Sequence, residues 1–300
     1  MSRSFDWLSC SSFWFSLIAL AGMVLASCSA PQKPIGPERE YENAKDMFKR
    51  GRFDRAVDLT DKLATASPPT AFTERARVLR VVIFAGELKS YKELAEAYDK
   101  GTEKTLDTHV KAEYGVLRHD DLQYAGKAAL SLAETTHQLV TDGVIAKELT
   151  LEVSLPASEG PAEVKDLKRV ADGGALNPDE QESLARDSLR KSIDDVLAGA
   201  VSGDQAKVHS ALANGSTKLN GLDFAIFLGN QLAEGAVVFD RKHASDSQKA
   251  QMLCSEGDDV AKAALALLKD NPDKDKEKEV KKLQDRYKTI LKSLEHLVYE

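Results

Sequence analysis

Aromatic side chains are scarce in this chain, at 6% of residues. Long runs of β-branched residues are also few, which argues against a core built from sheets. Ala, Leu, Lys and Glu recur instead, and these residues favour packed helices. An excess of positive charge is missing too. With 41 basic against 48 acidic side chains the formal net charge is -7, so the broad electropositive face that phosphate backbones require is absent and nucleic acid is not expected as a partner. Cysteine is limited to Cys10, Cys28 and Cys254. The six histidines, His109, His119, His137, His209, His243 and His296, lack the close pairing of zinc ligands on one helix face, so no metal is expected. His119, Asp120 and Asp121 are adjacent, but neighbours on a helix point about 100° apart and read as solvated or turn-capping groups. A Gly-rich phosphate loop, a nucleophile elbow and a paired-carboxylate motif are all missing, so no familiar enzyme is indicated.

An apolar stretch runs from Phe13 to Ala26, interrupted by Ser16. It falls short of the roughly 20 residues of a transmembrane helix and has the size of a signal-peptide core. It ends in Leu25, Ala26, Ser27 and Cys28. An aliphatic residue, two small ones and a cysteine suit an extended chain in a peptidase cleft, with a thiol as the nucleophile that accepts diacylglycerol. The four residues resemble the bacterial lipobox. That resemblance implies cleavage after residue 27, acyl chains on Cys28 as the sole covalent addition with no other cofactor, and a membrane partner through the anchor. Cys10 then leaves with the leader and Cys254 remains as the one free thiol, so no intramolecular disulfide forms in the processed chain. Free cysteines are among the most buried residues, and Cys254 is expected in the core. Ser29 after the cysteine, by resemblance to proteobacterial lipoproteins, implies the outer membrane, facing the periplasm. Residues 28–37, with Pro31, Pro34 and Pro37, form an extended tether.

From Tyr41 the pattern is helical, with apolar or small residues at Tyr41, Ala44, Phe48, Phe53, Ala56, Val57, Thr60, Leu63 and Ala64 at gaps of three and four. Gly51 breaks the run, and Pro68 and Pro69 close it. Ala44, Gly51, Phe53, Ala56 and Pro68 lie at the relative spacings of a tetratricopeptide repeat, in which small residues let two helices touch, the glycine turns the chain and the proline ends the second helix. A second, degenerate unit is read as helices 71–86 and 90–100, its Tyr91 standing 38 residues after Phe53 where the family repeats at about 34. A longer helix over 109–141 follows. Residues 38–142 thus resemble the repeat domain of outer-membrane assembly lipoproteins, and more loosely the repeat lipoproteins that accompany TRAP-type transporters.

Residues 143–177, punctuated by Gly143, Pro156, Gly160, Pro161, Gly173 and Gly174, read as an irregular connector. Leu149 to Leu155 alternate as a strand would, yet no second alternating run offers a partner. Helices restart at Asn177, Pro178 and Glu180, which suit an N-cap, a first-turn proline and a capping-box acid. Further helices are expected near 205–213, 222–239, 245–269 and 274–299. The mixed charges of Lys274 to Arg286 read as a solvated helix face. The fold class expected is all-α: tetratricopeptide-like hairpins of an α-solenoid, then a helical half over 178–300.

Together these features point to a non-enzymatic, lipid-anchored envelope scaffold that binds another envelope protein through a helical repeat surface, with Tyr41 and Lys45 on the exposed side of the first helices. The alternative is a small-molecule-binding component of an envelope transport system, its pocket enclosed between the two halves.

Overall fold

The structure is a computed structural model that describes residues 36–145, 150–153, 161–201, 217–239 and 246–295. The described chain is mostly helical. The pair expected at the start is present: α1, Pro37–Lys49, buries Tyr41, Ala44 and Phe48, and α2, Phe53–Ala64, buries Phe53, Ala56, Thr60, Leu63 and Ala64. Between them Gly51 adopts φ +69°, the left-handed conformation that a side chain resists. The rings of Phe48 and Phe53 meet edge to face at 5.2 Å across the turn. The Thr60 hydroxyl, buried in this pair, donates to the Ala56 carbonyl at 3.0 Å.

The second repeat unit is not formed. Residues 71–86 and 90–100 belong to one continuous helix, α3, Ala71–Lys104. Gly86, read as a helix end, lies inside it, and a Cβ there would stand 2.3 Å from Cγ1 of Ile193. The glycine therefore admits a neighbouring helix at close range and does not stop this one. Thr70 and Thr73 close a capping box at the start of α3. Over its 34 residues the helix runs about 50 Å. Val78, Leu79, Val81, Val82, Ile83, Phe84 and Ala85 are all buried, because α3 is enclosed by neighbours on several sides and has no wet face over this stretch.

Helix α4, Thr108–Thr141, begins at the Asp107 cap and returns along α3 as the long arm of a hairpin. Arg77, 6% exposed, ties the hairpin's open end: its guanidinium bonds the Asp142 carboxylate and donates to the Ala64 carbonyl at 2.9 Å. Tyr98 and Tyr114 pack at the other end.

The stretch expected as an irregular connector contains two elements among its described residues. Strand β1, Thr150–Val153, pairs antiparallel with β2, Thr217–Asn220, with Thr150 opposite Asn220. Helix α5, Lys165–Ala171, packs on α3. Helix α6, Pro178–Ala200, starts as expected: Asn177 Oδ1 accepts from the Glu180 amide at 2.9 Å, and Glu180 accepts from the Asn177 amide at 2.8 Å. It lies against α3, where Ser90 and Ser188 share a buried hydrogen bond of 2.9 Å. Then follow α7, Gly221–Val238, α8, Ser247–Asp270, and α9, Lys274–Glu295. The helix expected over 205–213 lies outside the described residues.

Helices α7 and α8 both pack on α4, and α9 covers α7 and α8. The two halves therefore share one core within Glu40–Glu300. Cys254 is 2% exposed in that core, and burial pushes its thiol up to about 11. The Tyr287 hydroxyl donates to the Gly229 carbonyl at 2.5 Å, a bond that joins α9 to α7. Among the described residues no helix is long and apolar enough to cross a membrane.

Candidate functional site

Where α3 emerges from the shared core, its side chains turn from aliphatic to charged: Lys89, Lys92, Glu93, Glu96 and Lys100 follow one another along one side. Two hollows adjoin this side and share Glu93 and Glu96 on their rims. The first, of about 400 Å³, has Leu88, Val196, Gly199 and Phe227 in its wall, from α3, α6 and α7. The second, of about 430 Å³, is bounded by Ala97, Val164, Leu167, Lys168 and Lys191, from α3, α5 and α6 and the residue before α5. The two form a groove following α3 from Leu88 to Lys100, about 18 Å at the helical rise.

Cross-helix ion pairs build its rim. Asp195 on α6 takes Lys89 Nζ at 2.5 Å and Lys191 Nζ at 3.1 Å. Glu234 on α7 takes Lys92 Nζ at 2.5 Å and Arg286 of α9 at 2.5 Å. Burial alone raises both carboxyls, but the hydrogen bonds from their basic neighbours prevail, and both are held below the usual carboxylate range. Glu93 goes the other way: burial raises it, with Lys89, 3.8 Å away, pulling against that. The groove thus combines apolar wall patches with fixed charges of both signs. Such a surface can hold an extended polypeptide, with main-chain groups and long side chains meeting the rim. Among the described residues no three His, Cys, Asp or Glu side chains converge to hold a metal ion.

Of the residues singled out from sequence, Leu25, Ala26, Ser27 and Cys28 lie outside the described residues. Ala44, Phe53 and Ala56 are buried, Gly51 makes the turn and Pro68 stands in the link between α2 and α3. None of these five lines the groove. Tyr41, expected on the exposed side, is 1% exposed and packs on Phe72 with ring centroids 6.0 Å apart. Its neighbour Lys45 pairs with Glu42 at 2.6 Å. His119 and Asp120 are exposed, whereas Asp121 is half-buried.

The groove residues escaped sequence reading because their partners are far away in the chain. Lys89 and Glu93, and Lys191 and Asp195, each one helical turn apart, were the local hints. In comparisons with known proteins, no family model, no curated protein and no solved structure matches this chain.

Proposed function

We propose that this chain is a lipid-anchored scaffold of the cell envelope, held by acyl chains on Cys28 at the outer membrane and facing the periplasm. Its helical body binds another envelope protein, with an extended segment of that partner lying in the groove along α3. In this reading the pair α1 and α2 is the tetratricopeptide-like part of the fold, and the chain carries out no catalysis. The observation that carries the reading is the groove itself: open, about 18 Å long at the helical rise, with apolar wall patches between rim charges already fixed by ion pairs. The lipobox-like residues Leu25 to Cys28 supply the tether.

A photo-crosslinking residue placed at Glu96, which is exposed on the shared rim, tests the idea in cells. The expected product is a covalent adduct with one envelope protein, lost when Lys92 and Lys89 are both reversed to Glu. Cys28→Ser should leave binding intact in extracts but abolish function in cells, because the complex is no longer concentrated at the membrane. One observation favours the alternative, a small-molecule-binding component of a transport system: each hollow falls in the usual size range of ligand sites, about 300 to 1,000 Å³. A small molecule that stays bound through native purification, with no protein adduct at position 96, would decide for that alternative.

A further inference from the structure

The groove along α3 is not uniform from end to end. Its first hollow has a floor of core residues, Leu88, Val196 and Phe227, all buried. Gly199 lies beside them in the last turn of α6. Elsewhere in this fold helical glycines admit a neighbouring helix: a Cβ at Gly229 would stand 2.3 Å from Leu283, and one at Gly257 2.1 Å from Tyr287. A Cβ at Gly199 would meet, among the described residues, nothing but the ring edge of Phe227, at 3.5 Å, an ordinary contact. Nor does Gly199 cap α6, which runs on to Ala200 and is capped by Val201, and its φ is not positive. Glycine is a poor helix former, and what its bare backbone leaves open here is the hollow beside the Phe227 ring. Gln231, half-buried in the same wall, adds a carboxamide that can both donate to and accept from a main-chain amide.

Charge changes sign along the groove. At the first hollow the lysines are already committed, Lys89 to Asp195 and Lys92 to Glu234, both at 2.5 Å. Next along α3 come two acids on the rim shared by the hollows, Glu93, which has Lys89 no nearer than 3.8 Å, and the exposed Glu96. The far end presents Lys100 of α3 and Lys168 of α5, both exposed, beyond the Lys191 that Asp195 holds, with Glu163 as the one acid confined to that hollow. The stations are therefore an apolar floor at the level of Leu88 to Lys92, a negative stretch at Glu93 and Glu96, and a positive end at Lys100. At the helical rise their midpoints are separated by steps of about 7 and 8 Å. An extended chain puts every second residue on the same side, a step of about 6.6 Å.

We propose that the groove takes an extended partner segment bearing, at alternate positions, a large apolar residue, a basic residue and an acidic residue, in that order from the Phe227 end. The apolar side chain fills the hollow between Phe227 and the bare backbone of Gly199, and Gln231 holds the main chain beside it. The basic side chain meets Glu93 and Glu96, and the acidic one meets Lys100 and Lys168. A segment with the two charges exchanged would set like charges against each other at both stations. The inference deepens the scaffold reading and rests on it for the occupant's being a polypeptide.

The probe is a fluorescent peptide, Ser-Gly-Phe-Ser-Lys-Ser-Glu-Gly-Ser, tested with its reversed sequence because either chain direction gives this order. Each is titrated at low salt against the full chain in nonionic detergent and followed by anisotropy. At least one of the two should saturate. Replacing its Phe by Ala should weaken binding about tenfold or more, and exchanging its Lys and Glu about fivefold or more. Gly199→Val should weaken the Phe peptide about tenfold by filling the hollow, whereas Gly115→Val, the same exchange on α4 where a Cβ meets nothing within 4 Å, should not. Lys100→Glu should weaken the probe about fivefold and regain the loss when the peptide's Glu is replaced by Lys. Circular dichroism of each variant should be that of the parent; if α6 does not accept valine, the Lys100 exchange decides alone. The proposal is overturned if neither peptide saturates, if the charge-exchanged peptide binds as well, or if the Lys100→Glu loss is not regained. Ordered binding without a protein adduct at position 96 would remove the scaffold reading and leave the preference of the groove standing. An adduct whose crosslinked segment lacks the order would do the reverse.

Discussion

Replacing Gly86 by Ala tests the most consequential departure from the repeat pattern. At an exposed mid-helix position this exchange gains about 1 kcal/mol through helix propensity. Here the new methyl would sit 2.3 Å from Cγ1 and 3.1 Å from Cα of Ile193. The second contact is with backbone, so α6 itself must shift. Overpacking of this kind costs about 1 to 3 kcal/mol, and after the propensity gain the net expectation is a loss of roughly 0 to 2 kcal/mol. Ile193→Ala alone leaves a cavity and should cost about 2 to 4 kcal/mol. In the double variant the added methyl enters the space vacated by Cγ1. The two losses should then fall short of additivity by on the order of 1 kcal/mol or more. Urea unfolding of all four proteins, followed by circular dichroism, gives the cycle directly. Additivity within about 0.5 kcal/mol would refute the helix crossing. A glycine that ended a helix, as the repeat pattern implies, would also resist alanine but would show no coupling to residue 193.

Four further outcomes are expected. Glu87 and Asp121 have folded-state values of about 7, above the ordinary carboxylate range; the fold therefore holds more protons than the unfolded chain between about pH 4 and 7, and stability falls as pH rises through that window. Glu87→Gln and Asp121→Asn should each raise stability at pH 8 by roughly 1 to 2 kcal/mol after allowance for partial contact with water, and change little at pH 4; equal effects at both pH values would contradict the assignment. Arg77→Met leaves Asp142 without its cation and the Ala64 carbonyl without a donor, and should cost roughly 2 to 4 kcal/mol in the same unfolding assay; a neutral result would mean the guanidinium does not hold the hairpin. Tyr287→Phe should cost about 0.5 to 1.5 kcal/mol, the net worth of one hydrogen bond to a Gly229 carbonyl that lies inside α7 and keeps its helical partner, and thermal melting would detect it. Cys28→Ser should leave uncleaved precursor without acyl chains, read by intact-mass spectrometry; a mature wild-type chain beginning elsewhere would end the lipoprotein reading.

Several elements could be read directly from residues, and the reasons differ from those behind the misses. Asn177, Pro178 and Glu180 marked the start of α6 because a capping box is closed by residues three apart. Helices α4 and α7 to α9 carried apolar stripes long enough to fix both existence and approximate ends. Gly86 misled because glycine serves two purposes in helices, ending one or admitting another at close range, and the choice depends on Ile193 far along the chain. The partner of β1 was missed because four residues, Thr217 to Asn220, hold too few alternations to stand out. At the groove the difficulty is one of distance: Lys92 and Glu234, or Lys89 and Asp195, look like ordinary solvated charges until folding brings them together. Tyr41, expected on the exposed side, belongs to the same buried stripe of α1 as Ala44 and Phe48 and packs on the ring of Phe72.

The unbroken course of α3 carries a consequence for how this protein can change length. Because α4, α5, α6 and α2 all dock on one rod, every residue after a given point keeps its neighbours only while its angular phase is kept. A one-residue insertion beside Gly86 would turn everything beyond it by about 100°, swinging Leu94 and Tyr98 out of the smaller apolar cluster they form with Val110, Tyr114 and Val170 and carrying Lys92 away from Glu234. Lengthening is tolerable where phase is not transmitted, as in the three residues Thr105 to Asp107 between the arms of the hairpin, with Leu106 there 99% exposed. Related chains that retain this architecture should therefore differ in length at such joints and hold α3 to a constant count.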